Sequence, residues 1–116
     1  MAHHNELGKE GELIALMFLE REGYKIRATN YRWQKAEVDI IASKDEFLVF
    51  IEVKTRSSEK FGLPEQAITP QKESLYKDAA EAYLEQNPSD FEIRFDVISI
   101  IISKEQTKIE HFTNAF

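Results

Sequence analysis

The chain has 116 residues, a formal net charge of −6 and no cysteine, which excludes disulfides, thiolate zinc sites and iron–sulfur clusters. Apolar residues make up 42% of it, so we expect a single domain over residues 1–116 with a sizeable core. The N-terminus is polar, and no apolar run approaches the ~20 residues of a membrane span. These features predict a soluble cytoplasmic protein that does not associate with membranes.

Four elements are predicted in the first half of the chain, a helix and three extended segments: 5–22, 24–33, 36–43 and 46–56. The helix carries apolar side chains at the helical period and ends at Gly23. Its small residues, among them Gly8, Gly11 and Ala15, predict close approach to another element, because glycine inside a helix costs up to ~1 kcal/mol relative to alanine. The last two segments form a hairpin around Lys44 and Asp45.

The second half begins with a helix that is marked by Thr69 as N-cap and Pro70 as first helical residue, and that runs to about Gln86. Strands over 91–103 and 107–112 follow. The order α-β-β-β-α-β-β predicts an α/β fold, a mixed sheet with helices packed on it.

Glu52 and Lys54 interrupt the apolar run of the third strand, where ionised groups are costly unless they are paired or bind something. They share one face of the strand, because side chains alternate. A two-residue hairpin loop would pair Asp39 with Phe50, and a four-residue loop would place it opposite Glu52. Either length brings Asp39 to this face, whereas a three-residue loop would separate it.

Two interpretations of these charged groups stay open. Lys54 could neutralise Asp39 and Glu52 in a structural ion-pair network. Alternatively, a divalent cation could lie between the carboxylates, since Mg²⁺ takes one or two protein carboxylates and keeps several waters. On the fourth strand, Arg94 and Asp96 share a face and predict a structural ion pair.

Five segments carry a resemblance to the YraN-like family of uncharacterised bacterial proteins: 8–15, 23–33, 36–42, 50–62 and 94–100. That family resembles archaeal Holliday-junction resolvases and the PD-(D/E)XK nuclease superfamily. The resemblance implies a restriction-endonuclease-like fold, with the 36–56 hairpin central and a helix on each side. The chain has Val38 where the superfamily pattern has proline, and Ala36 where the family has glycine.

The resemblance also implies a function, an Mg²⁺- or Mn²⁺-dependent endonuclease that acts on DNA or branched DNA. Asp39, Glu52 and the Val53 carbonyl would hold the metal. Lys54 would be catalytic, and Glu12 of the first helix would bind a second metal or support the first. The alternative is a catalytically inactive module of the same fold that binds nucleic acid or a protein partner, and a homodimer would suit the resemblance to resolvases.

Two basic segments of an otherwise acidic chain predict the DNA-binding surface, because phosphate contacts need cations. Residues 21–36 hold five basic residues against one acid, and residues 54–60 hold three against one. The predicted contacts are Arg27, Arg32, Lys35, Arg56 and Lys60. Trp33 could stack on a nucleic-acid strand or pack beneath the sheet edge. Lys72, at the start of the second helix, could meet a phosphate, but an exposed helix lysine is usually solvated, and that is the expectation here.

Overall fold

The computed structural model describes residues 6–58 and 68–116. In chain order, their elements are α1 (Glu6–Arg21), β1 (Lys25–Trp33), β2 (Ala36–Lys44), β3 (Phe47–Arg56), α2 (Pro70–Gln86), β4 (Glu92–Ile102) and β5 (Thr107–Phe112). The predicted order is confirmed, and each boundary lies within one residue of its predicted position. Within the described ranges, neither helix has the length and apolarity needed to cross a membrane.

The strands form a mixed sheet in the order β1-β2-β3-β4-β5. Neighbouring strands are antiparallel, except that β3 and β4 are parallel and are connected through α2. Parallel neighbours require a crossover of this kind, whereas antiparallel ones can be joined by a tight turn. The predicted α/β class is therefore confirmed, and the architecture is consistent with a restriction-endonuclease-like fold.

The two helices cover opposite faces of the sheet. α1 buries Ala15 and Leu19 in a cluster with Ile51, and α2 buries Tyr76 in a second cluster with Phe50. Phe50 and Ile51 are neighbours in β3, so their side chains point to opposite faces. Each helix therefore has its own hydrophobic cluster, which confirms the prediction of a helix on each side.

α1 approaches β3 closely at Gly11, which is buried. A Cβ atom at this position would lie 2.6 Å from Cγ2 of Thr55, well inside van der Waals contact. One turn further along the helix, Ala15 is completely buried. The predicted close approach of the small-residue stripe is thus confirmed, and it brings the neighbouring Glu12 to the edge of β3.

α2 begins as predicted at Thr69 and Pro70. The Thr69 hydroxyl accepts a hydrogen bond from the Lys72 N–H at 3.1 Å, and Pro70 is the first helical residue. A cap of this kind satisfies a backbone donor that has no partner inside the helix and contributes about 1 kcal/mol. The cap also orders the first turn of α2, from which the Lys72 side chain extends toward the sheet.

The β2–β3 hairpin has the register that brings the predicted acidic residues nearest to each other. Ser43 pairs with Leu48, which is the register of the four-residue loop that the sequence left open. The turn itself comprises residues 45–46, with Asp45 at a φ of 55°. The last backbone pair of this ladder is Ile40 with Ile51, and the next residues beyond it are Asp39 in β2 and Glu52 in β3.

Candidate metal-binding cleft

The backbone pairing of β2 with β3 ends at Ile40 and Ile51, and the Asp39 side chain takes the place of the next pairing. Its Oδ2 accepts a hydrogen bond from the Val53 N–H at 2.8 Å. Because the N–H and C=O of one strand residue point toward the same neighbouring strand, the Val53 carbonyl is also directed toward this gap. A carboxylate and a carbonyl oxygen therefore meet where the ladder ends.

Side-chain alternation in β2 is interrupted at Asp39. Val38 and Ile41 pack in the same cluster beneath α2, although alternation would place residues three apart on opposite faces. On β1, Asn30 lies at the level of Asp39 and has a φ of 52°. Left-handed backbone is uncommon for residues other than glycine and often marks a local irregularity. The strand pair changes face at this level, which takes Asp39 out of the regular pattern.

Glu52 is 5% exposed and is held mainly by α2. Nζ of Lys72 lies 2.7 Å from its Oε2, and the Tyr76 hydroxyl donates to its Oε1 at 2.7 Å. Nζ of Lys54 lies farther from Oε2, at 3.7 Å. Of the two lysines, Lys72 is therefore the closer counter-ion.

Sequence reasoning did not assign Lys72 or Tyr76 to this site. The two residues are four positions apart on one face of α2, a spacing that indicates a shared direction. The spacing does not show that they meet Glu52, because that contact depends on how α2 docks on the sheet. The expectation that Lys72 is solvated was wrong: it is half-buried against a carboxylate.

Burial, as the largest cause, and the charge of Glu52 raise the pKa of Asp39 from its ordinary value to about 7. The hydrogen bond from the Val53 N–H opposes this shift, as does the positive charge of Lys72, whereas Glu12 adds to it. Near neutral pH, the cleft therefore holds one carboxyl group that changes its charge readily. A cation between the acids would favour the ionised form of both.

An open cleft of about 440 Å³ contains most of the predicted site residues. Its lining includes Glu12, Arg32, Lys35, Asp39, Glu52, Val53, Lys54, Lys72 and Tyr76. Residues from both helices and from the first three strands thus converge on one concavity. The predicted metal ligands, the two predicted catalytic residues and two of the predicted DNA contacts lie together.

The other three predicted DNA contacts are placed differently. Arg27 lines a separate groove beside Phe91, where its Nε donates to Oγ of Ser43 at 2.9 Å. Arg56 is the last residue of β3 and is not part of the cleft lining. Lys60 lies outside the described residues. The basic cleft surface in the described ranges is consequently smaller than the sequence predicted.

The donor set fits a hard divalent cation. Within residues 6–58 and 68–116, no group of three His, Cys, Asp or Glu side chains is arranged to hold a metal alone, which does not favour a closed zinc site. Mg²⁺ and Mn²⁺ prefer oxygen ligands, and Mg²⁺ is usually bound by one or two carboxylates with water and substrate phosphate completing the shell. Asp39 and Glu52, with the Val53 carbonyl, supply that kind of partial set.

A second polar cluster joins β4 to the C-terminal residues. Arg94 donates to both oxygens of the fully buried Asp96, at 3.0 and 2.9 Å, which confirms the predicted ion pair. His111 Nε2 lies 2.7 Å from the same carboxylate, and the Asn114 N–H donates to it at 3.0 Å. Burial alone would raise the pKa of Asp96, but these partners together hold it below its ordinary value.

Comparison with known proteins gives a family but no activity. The model of a family described as "Uncharacterised protein family UPF0102" matches residues 11–100. A UPF0102 protein of Flavobacterium psychrophilum is 49% identical over 116 residues, which cover 100% of this chain and 98% of the relative. A UPF0102 protein of Syntrophomonas wolfei is 46% identical over 114 residues, which cover 97% and 99% respectively. The similarity therefore extends over almost the entire length of both relatives.

Proposed function

The chain belongs to the uncharacterised protein family UPF0102, and we propose that it is a metal-dependent endonuclease that hydrolyses phosphodiester bonds in DNA. The observation that carries the proposal is the convergence of the buried Asp39 and Glu52, at the end of a strand ladder, in an open cleft that also contains Lys54. The resemblance to PD-(D/E)XK nucleases, which have an acid on one strand and E-x-K on the next, supports the same assignment.

Asp39 and Glu52 would hold Mg²⁺ or Mn²⁺, and the Val53 carbonyl would be a further ligand. Such a cation polarises the scissile phosphate and lowers the pKa of an attacking water. The chain contributes fixed oxygen ligands: Asp39 is oriented by the Val53 N–H, and Glu52 is oriented by Tyr76. Orienting hydrogen bonds to metal ligands typically change affinity or activity by 10- to 100-fold, roughly, when they are removed.

Lys54 and Glu12 would act around the reacting phosphate. The Lys54 side chain is 35% exposed and extends from the same face of β3 as Glu52, so it can reach a phosphate in the cleft. There it would stabilise the negative charge that grows on the phosphoryl oxygens in the transition state. Glu12 approaches from α1, close enough for its charge to raise the pKa of Asp39, and it would hold a water or a second cation.

Two observations favour a second candidate, an inactive module of this fold that binds nucleic acid or a protein. Lys72 already neutralises Glu52 at 2.7 Å, so the fold has an internal counter-ion. The net charge of −6 also opposes long-range attraction to DNA. A module that only binds phosphates, however, gains nothing from buried carboxylates in the same cleft, because they repel the ligand.

Calorimetric titration with Mn²⁺ tests the proposal directly. The wild-type protein should bind the cation, and Asp39→Asn should bind it at least about tenfold more weakly, because a ligand charge is lost. Asp78→Asn is a matched control, since Asp78 is an exposed acid on α2 and should leave the affinity unchanged. Absence of Mn²⁺ binding by the wild type at millimolar concentration would overturn the endonuclease proposal.

A further inference from the structure

Trp33 is a large aromatic side chain in an unusual position, at the tip of the β1–β2 hairpin. It is the last residue of β1 and pairs with Ala36, and the residue is 38% exposed. Within residues 6–58 and 68–116, no other aromatic ring packs against the Trp33 indole. Packing beneath the sheet edge, the usual environment of a tryptophan, therefore covers only part of the Trp33 ring.

The same hairpin tip carries two cations that face the cleft. Arg32 and Lys35 are exposed, flank Trp33 within two positions, and line the cleft that contains Asp39 and Glu52. Gln34 has a φ of 53°, so the turn between Trp33 and Lys35 has a defined left-handed backbone. The tip therefore carries an exposed indole and two exposed cations at the border of the cleft. The cations line the cleft, whereas Trp33 is not part of its lining and, as the neighbour of Arg32 in β1, lies on the other face of the strand.

We propose that Trp33 is a stacking platform for an unpaired nucleobase, with Arg32 and Lys35 contacting the adjacent phosphates. The inference rests on the proposed function and deepens it, since it gives the preferred substrate as nucleic acid with a single-stranded segment. A nucleobase inside an uninterrupted duplex is already stacked on its neighbours and offers no free face to an indole. An unpaired base does, and stacking on an aromatic side chain tolerates any base.

The protein contains one tryptophan, so its intrinsic fluorescence reports on Trp33 alone when tyrosine is not excited. We expect saturable quenching on titration with a single-stranded oligothymidylate in the presence of a chelator, which prevents cleavage. The same strand annealed to its complement should quench much less. Equal quenching by duplex and single strand, or no quenching, would overturn the proposal.

Substitutions separate stacking from general binding. Trp33→Ala should weaken affinity for the single strand by roughly 5- to 150-fold, the usual range for loss of one base–aromatic contact, as measured by anisotropy of a labelled oligonucleotide. Trp33→Phe should retain most of the affinity, because a ring is still present. Leu13→Ala is the matched control, since Leu13 is 59% exposed on α1 and should have no effect.

The outcome is distinguishable from that of the metal experiment. Fluorescence quenching by the single strand without Mn²⁺ binding would support the stacking platform and overturn the endonuclease proposal. Mn²⁺ binding by the wild type, together with unchanged oligonucleotide affinity in Trp33→Ala, would overturn the stacking platform alone. A third outcome is concentration-dependent self-association of the free protein that Trp33→Ala abolishes. That result, together with unchanged oligonucleotide affinity, would assign Trp33 to contact with a second copy and overturn the proposal.

Discussion

At the scale of single residues, the two lysines beside Glu52, Lys54 and Lys72, differ in their distance from the carboxylate. Lys72 lies 2.7 Å from the carboxylate and belongs to a helix that is docked on the sheet, so it stabilises the buried charge. Lys54 lies 3.7 Å away and remains 35% exposed toward the cleft. Its position suits a ligand-facing task better than a structural one.

Lys54→Ala should lower the rate of DNA cleavage by about 100-fold or more, the usual loss for one electrostatic donor in a transition state. Affinity for Mn²⁺ and the melting temperature should change little, because Lys72 still neutralises Glu52. Single-turnover cleavage, calorimetric titration with Mn²⁺ and thermal unfolding of the same samples measure the three quantities.

Lys77→Ala provides a matched control, since Lys77 is an exposed lysine of α2 that pairs with Glu73. The structural interpretation makes the opposite prediction for Lys54→Ala, a loss of ~3 to 5 kcal/mol from leaving a buried carboxylate short of a partner. A variant that melts far below wild type, with no cleavage ever detected for the wild type, would decide for that interpretation.

Asp39 gives the free energy of unfolding a defined dependence on pH. Its pKa is about 7 in the folded protein and near its ordinary value of 3.8 in the unfolded chain, so the folded state binds more protons between these values. Stability contributed by this group is complete below about pH 4 and is lost as the pH rises through about 7. Asp39→Asn removes the titrating group while keeping a similar shape.

Chemical denaturation of wild type and Asp39→Asn at a series of pH values isolates this contribution. We expect the variant to gain stability relative to wild type as the pH rises from about 5 to about 8. Addition of Mn²⁺ at the higher pH should restore the wild type, because a ligand that binds the folded state stabilises it. A constant difference between the two proteins across that range would contradict the assigned pKa.

At the scale of elements, the docking of α1 on β3 depends on the absence of a side chain at Gly11. Gly11→Ala gains up to ~1 kcal/mol of helix propensity, but its Cβ would overlap the Thr55 side chain. Overpacking of this kind costs about 1 to 3 kcal/mol, so we expect net destabilisation in urea unfolding. The shift of α1 should also move Glu12 and weaken Mn²⁺ binding.

The double variant Gly11→Ala/Thr55→Ala tests whether the contact is the cause. Thr55→Ala removes the hydroxyl and methyl groups, the two atoms nearest to the new Cβ, but leaves the Thr55 Cβ 2.7 Å from it. The double variant should therefore recover part of the stability that Gly11→Ala loses. Ser74→Ala, at an exposed position of α2, should be nearly neutral. Additive effects of the two substitutions would show that the close approach is not the origin of the loss.

Helix ends and strand limits were predictable because their signals are local. Gly23, with a φ of 94°, ends α1, and the Thr69–Pro70 pair begins α2. The register of the β2–β3 hairpin was not predictable, because neither turn residue is glycine and two loop lengths satisfied the hydrophobic pattern. The face on which Asp39 lies follows from a break in side-chain alternation between Val38 and Ile41, for which periodicity gives no warning. The Lys72–Glu52 pair joins elements 20 positions apart through the docking of a helix.

At the scale of the whole molecule, an acidic protein presents two exposed cations, Arg32 and Lys35, at the rim of its cleft. Arg32→Glu should reduce the slope of log affinity for DNA against log salt by about 1, because each phosphate contact contributes roughly 0.7 to 0.9. The effect should be uniform across sequences, since phosphate contacts carry no base information. Fluorescence anisotropy at several salt concentrations measures the slope.

Arg27→Glu is the matched control, because Arg27 lies in a separate groove and donates to Ser43. It changes the net charge by the same amount, so a general electrostatic effect would appear in both variants. Equal reductions in slope would place the DNA surface elsewhere or extend it over both grooves. No reduction in Arg32→Glu would exclude the cleft rim as the phosphate-binding surface.

The amide of Val53 is bonded to a side chain at a place where strand residues normally bond to backbone. Its chemical shift in an NMR spectrum should therefore respond to the ionisation of one carboxyl group, while the amides of the continuous β3–β4 ladder should not follow it. Hydrogen exchange at this amide should also slow when a cation fixes the carboxylate. One backbone proton in the interior of the sheet thus becomes a residue-specific indicator of cleft occupancy, readable without any substrate.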